Sequence, residues 1–171
     1  MYSLILIFLI IAFTLALLPQ KAHAAAYSFL DITASISGSG GSFSLKGGNA
    51  PEGITVTPDN DMTETVTGAD GAIMHSLMEQ GRTGTVTITL LKTSPVNAQL
   101  QQLINSQSRT SATWGDNVIS IRDVVRGDDL TISQAAFVKQ SDVNYAASGG
   151  TTAWTFRGRL SAVVLGAGLS R

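Results

Sequence analysis

Alternation of apolar and polar positions is the clearest pattern in this chain. In residues 85–91, "TVTITLL", Val86, Ile88 and Leu90 fall on one face and the threonines fall on the other. Such a period of two is typical of a strand with one buried face. A shorter alternation in residues 42–46, "SFSLK", predicts another strand, which the glycine-rich turn of residues 38–41 joins to the strand before it.

Further strands are predicted where β-branched and aromatic residues cluster between turn signals. These runs are residues 27–37, 54–57, 62–67, 117–122, 130–138 and 153–165. Glycine, proline and aspartate interrupt them, which is typical of loops and turns. Three such interruptions are predicted as loops or turns: residues 47–53, the acidic residues 58–61 ("PDND"), and residues 68–84.

Residues 92–108, "KTSPVNAQLQQLINSQS", replace the β pattern with helical spacing. Ser94 suits an N-cap, and Pro95 suits the first helical position, where its missing N–H does no harm. The pattern predicts one amphipathic helix from Pro95 to about Ser106. Its apolar face, predicted to be core rather than a cofactor site, consists of Val96, Leu100, Leu103 and Ile104.

These elements together predict a mainly β fold. About seven strands and a single helix are typical of a β-sandwich or barrel, with the flanking α-helix covering its open end. The sequence shows neither an internal repeat nor a domain linker.

An apolar prefix precedes this pattern. Residues 4–18, "LILIFLIIAFTLALL", have the length of a signal-peptide core and are short for a membrane span, and Ala22-His23-Ala24 has the small-x-small form of a cleavage site. The first three residues carry no Lys or Arg, unlike an ordinary signal peptide. A cleaved signal, a single anchor helix and an upstream start codon therefore remain open, and the predicted division is residues 1–24 and 25–171.

Charge and cysteine content exclude several classes of function. The 171 residues carry 11 basic and 12 acidic side chains, and Lys21 is the only charged residue of the prefix, so the remainder has a net charge of −2. The sequence has no run of basic residues of the kind that forms a nucleic-acid-binding surface. The chain has no cysteine, so disulfides, thiolate nucleophiles and cysteine-bound metals are excluded.

No group of residues indicates an enzyme. His75 is the only histidine after the prefix, and its neighbour Ser76 does not make a triad, because a triad requires geometry rather than adjacency. The acidic run Asp59–Asp61 lacks the glycine and distal glutamate of a calcium loop. We therefore expect no catalytic residue, cofactor or metal.

Four long stretches resemble a known family. They are "AYSFLDITASISGSGGSFSL", "GADGAIMHSLMEQGRTGTVTITLLKTSPVNAQLQQLIN", "VVRGDDLTISQAAFVKQSDVNYA" and "GGTTAWTFRGRLSAVVLGAG". They are similar to the tail tube (inner tube) structural proteins of contractile-tailed bacteriophages and prophages. The resemblance covers the chain from about residue 26 to residue 168.

The resemblance implies a structural subunit without enzymatic activity. Such proteins are barrel-like β-sandwiches that form hexameric rings, and the rings stack into a tube that conducts DNA. The implied partners are other copies of the chain, the tail sheath, the baseplate and the tail terminator; DNA would pass without specific binding, and the mature domain would not meet a membrane. The implied location is the virion tail, assembled in the host cytoplasm.

One segment is expected to mediate assembly. Residues 47–84 form a long stretch poor in large apolar side chains, and long loops in compact domains are usually functional or disordered. In tube proteins a long loop or hairpin commonly reaches a neighbouring subunit. The expected assembly residues are Pro58, Asp59, Asn60, Asp61, Met62, Thr63, Glu64, Thr65, Val66 and Thr67.

The prefix departs from the family pattern. Members usually begin with a methionine just before "AYSFLD", where this chain has Ala25. The resemblance therefore favours an upstream start codon over a signal that a host has attached. If the prefix is a working signal, the alternative is an exported β-sandwich, a surface or pilus-like subunit in the periplasm or outside the cell.

Overall fold

The computed structural model describes residues 27–166, and within this range it contains nine strands and one α-helix. The strands are β1 (Ile32–Gly38), β2 (Gly41–Ser44), β3 (Asn49–Pro58), β4 (Thr63–Thr67), β5 (Ile73–Leu77), β6 (Thr83–Leu91), β7 (Asn117–Asp123), β8 (Asp128–Phe137) and β9 (Thr151–Val164). The helix α1 (Val96–Gln107) lies between β6 and β7, and short 3-10 helices span Phe29–Asp31 and Glu79–Arg82. The predicted mainly β fold with one flanking helix is confirmed.

Seven strands form one antiparallel sheet in the order β2-β1-β7-β8-β9-β6-β3. The sheet curls on itself and brings the edge strand β3 close to β7 and β8. One cleft is lined by residues of all three strands: Ile54 and Val56, Ile121, and Leu130. β4 and β5 stand apart as a two-stranded hairpin between β3 and β6. The result is a partly open barrel with a hairpin attached to its edge.

β6 shows how the sequence pattern builds the core. Val86, Ile88 and Leu90 are fully buried, and the alternating threonines lie on the outward face, as the period of two predicts. Trp154 and Phe156 of β9 lie opposite Ile88 and Val86 in the register and extend the same buried layer.

The helix covers the core along the predicted apolar face. Val96, Leu100, Leu103 and Ile104 are buried and belong to the same cluster as the strand residues. Leu103 lies so close to the β1–β2 turn that a Cβ atom on Gly40 would collide with its Cδ1. None of the helices in the described part of the chain has the length and apolar character needed to cross a membrane.

Three sequence predictions of local structure were wrong. The first strand begins at Ile32 rather than residue 27, because a 3-10 turn forms first and the Ser28 hydroxyl accepts a hydrogen bond from the Leu30 N–H at 3.2 Å. The predicted loop 47–53 is mostly the irregular start of β3, where Pro51 and Gly53 are tolerated because the strand is at the sheet edge. The predicted loop 68–84 contains β5 and a 3-10 helix, and β5 escaped recognition because it has no buried face to impose alternation.

The start of α1 also differs slightly. The residue preceding the helix is Pro95, whose side chain cannot cap it. Ser94 still contributes, since its hydroxyl accepts a hydrogen bond from the Val96 N–H at 3.3 Å and donates to the Gly47 carbonyl.

A buried amide pair joins the helix to the sheet. Gln107 Nε2 donates to Asn117 Oδ1 at 2.7 Å, and Asn117 Nδ2 donates to Gln107 Oε1 at 3.0 Å and to the Ala135 carbonyl at 2.8 Å. Both side chains are almost fully buried, so neither can replace a lost partner with bulk water.

Asn117→Ala is expected to destabilise the fold by about 2 kcal/mol, because it leaves the Gln107 amide buried without its partner. The melting temperature should fall by roughly 4–8 °C for a domain of this size. The control is Asn105→Ala, on the exposed side of α1, the helix that carries Gln107. It should change stability by less than about 0.5 kcal/mol. Equal melting temperatures for the two variants would contradict this role of the pair.

Candidate assembly surfaces

Residues 62–78, here called the arm, form the hairpin of β4 and β5. The pairing runs from Thr63 opposite Leu77 to Thr67 opposite Ile73, and the Met78 N–H extends it by donating to the Met62 carbonyl at 2.9 Å. Every residue of β4 is exposed. The arm therefore stands away from the body of the domain and contributes nothing to its core.

The root of the arm is held firmly on the sheet. Asp59 accepts a hydrogen bond from Thr85 Oγ1 at 2.6 Å, and its other oxygen lies 3.1 Å from Arg157 Nε. Asn60 Nδ2 donates to the Gln80 carbonyl at 3.3 Å and to Thr83 Oγ1 at 2.9 Å. These contacts fix where the arm leaves the body.

The expected assembly residues fall into two groups in the structure. Pro58, Asp59, Asn60 and Asp61 lie at the root, in or just after β3, and two of them bond to the body. The remaining six, residues 62–67, form the first side of the arm. The second side, β5, lies within the segment 47–84 that was expected to mediate assembly, but its residues were not among those named individually. The apolar pair Ile73 and Met74 was a signal for them in the sequence.

The arm has two faces of different character, because side chains alternate along each strand. The methionine face carries Met62, Glu64, Val66, Met74, Ser76 and Met78. The opposite face carries Thr63, Thr65, Thr67, Ile73, His75 and Leu77. Apolar side chains are exposed on both faces: Met62, Val66, Ile73, Met74 and Leu77 range from 49% to 68% exposed.

The structure separates His75 and Ser76, the two residues that a catalytic triad would bring together. His75 and Ser76 are neighbours in β5 and so point to opposite faces of the hairpin. His75 Nδ1 instead shares a hydrogen bond with Thr65 Oγ1 at 3.0 Å. No group of potential metal ligands is present within residues 27–166.

Three backbone edges of the main sheet are uncovered within the described chain. β2 and β3 are its outer strands. β9 continues past Arg159, where its pairing with β6 ends, so Leu160–Val164 pairs only with β8. Val163 and Val164 on this projecting piece are each 54% exposed.

A comparison with known protein families identifies the family of the chain that carries these surfaces. The family model described as "Bacteriophage PhiTE tail tube protein" matches residues 24–166. The chain belongs to this phage tail tube family. The family is a structural one and its members are components of the virion tail, so the resemblance drawn from the four sequence stretches is confirmed.

Solved structures show that this tail tube protein shares its fold with single chains from contractile injection systems. A chain of the sheath-tube complex of PVC, an extracellular contractile injection system, matches with a TM-score of 0.52 and 14% identity over 81% of this chain and 90% of that chain. A chain of the PVC sheath/tube terminator matches with a TM-score of 0.56 and 15% identity, over 85% and 100% of the two chains.

A third structure, the tube-terminating cap of the anti-feeding prophage, matches with a TM-score of 0.51 and 11% identity over 86% of this chain and 96% of that chain. At such low identities these likenesses concern the fold. None of the curated proteins matches the tail tube protein in sequence.

Proposed function

We propose that this tail tube protein assembles into hexameric rings, and that the rings stack into a tube that conducts DNA inside a contractile sheath. The observation that carries the proposal is the arm. The base of this hairpin is bonded to the sheet, and apolar side chains are exposed on both of its faces. Such a hairpin is stabilised when another molecule covers those side chains.

The energetics of the arm support this proposal. A lone two-stranded hairpin is marginally stable in water, since it needs a third strand or a packed face. Five large apolar side chains on such a hairpin form an exposed surface of the kind that marks an interaction site. Packing against another copy of the chain would bury them and order the hairpin.

Ring closure would also satisfy the uncovered sheet edges. Free backbone N–H and C=O groups on an edge strand are a template for pairing with another chain. The edges of β2, β3 and the projecting end of β9 differ from one another. Pairing of one edge with a different edge of the next copy is head-to-tail, and such a contact closes into a ring when its rotation permits.

The overall charge of the chain supports passage of DNA without binding. Affinity for DNA comes mainly from Lys and Arg on phosphates, and the 171 residues carry a net charge of −1. A tube of slightly acidic subunits would therefore let the polyanion slide.

The partners follow from the same proposal. The similar folds occur in a sheath-tube complex, a sheath/tube terminator and a tube-terminating cap. We propose that this chain contacts a sheath protein around the tube, a terminator at one end and a baseplate at the other, and that assembly occurs in the host cytoplasm.

Residues 25–171 are proposed to be sufficient for assembly. The family match begins at residue 24, and the described residues 27–166 contain a contiguous hydrophobic core. Residues 1–24 lie outside the described residues, so the signal-peptide and upstream-start hypotheses both stay predictions. An exported β-sandwich is the alternative that the apolar prefix favours.

A chain that begins at Ala26 behind a new methionine is expected to be soluble in the cytoplasm and to sediment as six-subunit rings or longer stacks. The full-length chain should instead partition into membranes or aggregates, because residues 4–18 have no polar face. Comparing the two by sedimentation velocity tests the proposal. A shorter chain that stays monomeric at high concentration, together with a full-length chain cleaved after Ala24 in the periplasm, would favour the exported alternative.

A further inference from the structure

An arginine-rich cleft of about 450 Å³ lies on the body of the domain at the root of the arm. Arg82 from the 3-10 helix and Arg157 and Arg159 from β9 line it, and Glu79 is the only acidic residue among the lining side chains. The whole chain has a net charge of −1, so this concentration of positive charge is local. Arginine is suited to such a place because its planar guanidinium binds carboxylates in a fixed geometry.

The three guanidinium groups are incompletely paired within the subunit. Arg82 and Arg159 share the carboxylate of Glu79, at 3.4 and 3.7 Å, and Arg157 pairs with Asp59 at 3.1 Å. All three arginine side chains are about half exposed, and exposed ion pairs of this kind contribute little. Arg159 makes the longest of these contacts and can accept a further carboxylate.

The backbone beside the cleft is strained. Gln134, which also lines the cleft, has a φ angle of +53°, the only positive value for a non-glycine residue in the described chain. It lies in the bulge where the β8–β9 register shifts between Ser133 and Ala136. Bulges are common beside binding sites, where they change the direction of a side chain. This bulge places Gln134 in the wall of the cleft.

We propose that the cleft binds the carboxylate of Glu64 from the arm of a second copy of the chain. Glu64 is the only charged residue on the methionine face, and none of the ion pairs within residues 27–166 involves it. This inference rests on the proposed ring assembly and names one of its contacts.

The positions of Glu64 and of the arginine cleft in one subunit suit a ring. Each copy carries Glu64 on its arm and the arginine cleft at the root of that arm, so each subunit offers both halves of the contact. Two different patches of this kind can join head-to-tail, and that contact then repeats from copy to copy until the ring closes. Docking the methionine face would also cover Val66 and Met74, which are exposed in the single chain.

Charge reversal tests this contact in the chain that begins at Ala26. Arg159→Glu and Glu64→Arg are each expected to raise the concentration needed for assembly at least about tenfold, since like charges are then opposed. The double variant should return to within about threefold of the unmodified chain, because the pair is restored with its charges exchanged. Arg109→Glu, an exposed residue after α1, is the matched control and should leave assembly unchanged.

Sedimentation measures assembly, and thermal melting of the dilute protein shows that each variant is folded. Failure of the double variant to recover, or normal assembly of Arg159→Glu, would overturn the contact while leaving the proposed tube function in place. Loss of assembly of the unmodified chain on nuclease treatment would show that the cleft holds nucleic acid instead. If the unmodified chain never self-associates, the proposed function itself fails.

Discussion

Replacing residues 63–77 with an Asn-Gly turn is expected to leave a folded, soluble protein that no longer forms rings. Met62 and Met78 are already paired, so a two-residue turn can close the chain between them. The change removes four of the five exposed apolar side chains of the arm. Burial of each is worth roughly 1–2 kcal/mol in an interface, and every 1.4 kcal/mol is tenfold in affinity, so self-association should weaken at least about a hundredfold.

The fold should survive because the core residues of the described chain all lie outside the arm, and the root contacts of Asp59 and Asn60 are kept. The melting temperature should stay within roughly 4 °C of that of the intact protein. Sedimentation and melting of the two proteins side by side check both halves of the expectation. Rings of normal appearance from the shortened protein would show that the arm has no role in assembly.

Leu103→Asp is expected to leave the protein insoluble or unfolded. Leu103 is 3% exposed and lies against the β1–β2 turn at Gly40. Losing a buried leucine costs about 2–5 kcal/mol, and a buried carboxylate without a partner adds to that cost. The sum is comparable with the whole stability of an ordinary domain, about 5–15 kcal/mol.

The matched control for that variant is Gln102→Asp, at the neighbouring position on the exposed side of the helix. It should fold normally, since surface substitutions usually change stability by less than about 0.5 kcal/mol. Circular dichroism and solubility of the two proteins provide the comparison. Similar melting temperatures for the two variants would mean that α1 does not cover the core through Leu103.

The sequence predicted best where one face of an element is buried. β6 and α1 were predicted almost to the residue because burial of Val86, Ile88 and Leu90, and of Leu100 and Leu103, imposes a period on the sequence. β5 was predicted as loop because a strand exposed on both faces carries no such period. The second side of the arm therefore escaped the pattern argument for the same physical reason that makes it a candidate interface.

The arginine cleft was beyond sequence reasoning for another reason. Arg82 and Arg159 are far apart in the chain and meet only because β6 and β9 pair, with Thr83 opposite Arg159. The resemblance to tail tube proteins identified the family, but it could not locate this cleft or divide the expected assembly residues between root and arm. Those distinctions depend on which strands are neighbours.

Imaging of the particles formed by the chain that begins at Ala26 tests the central claim most directly. Purified protein would be concentrated, stained and viewed end-on, and the rotational symmetry of averaged particles would be measured. Hollow rings with six-fold symmetry, seen singly or stacked into tubes, are the expected result. Particles without a central channel, or a population of monomers at every concentration, would contradict it.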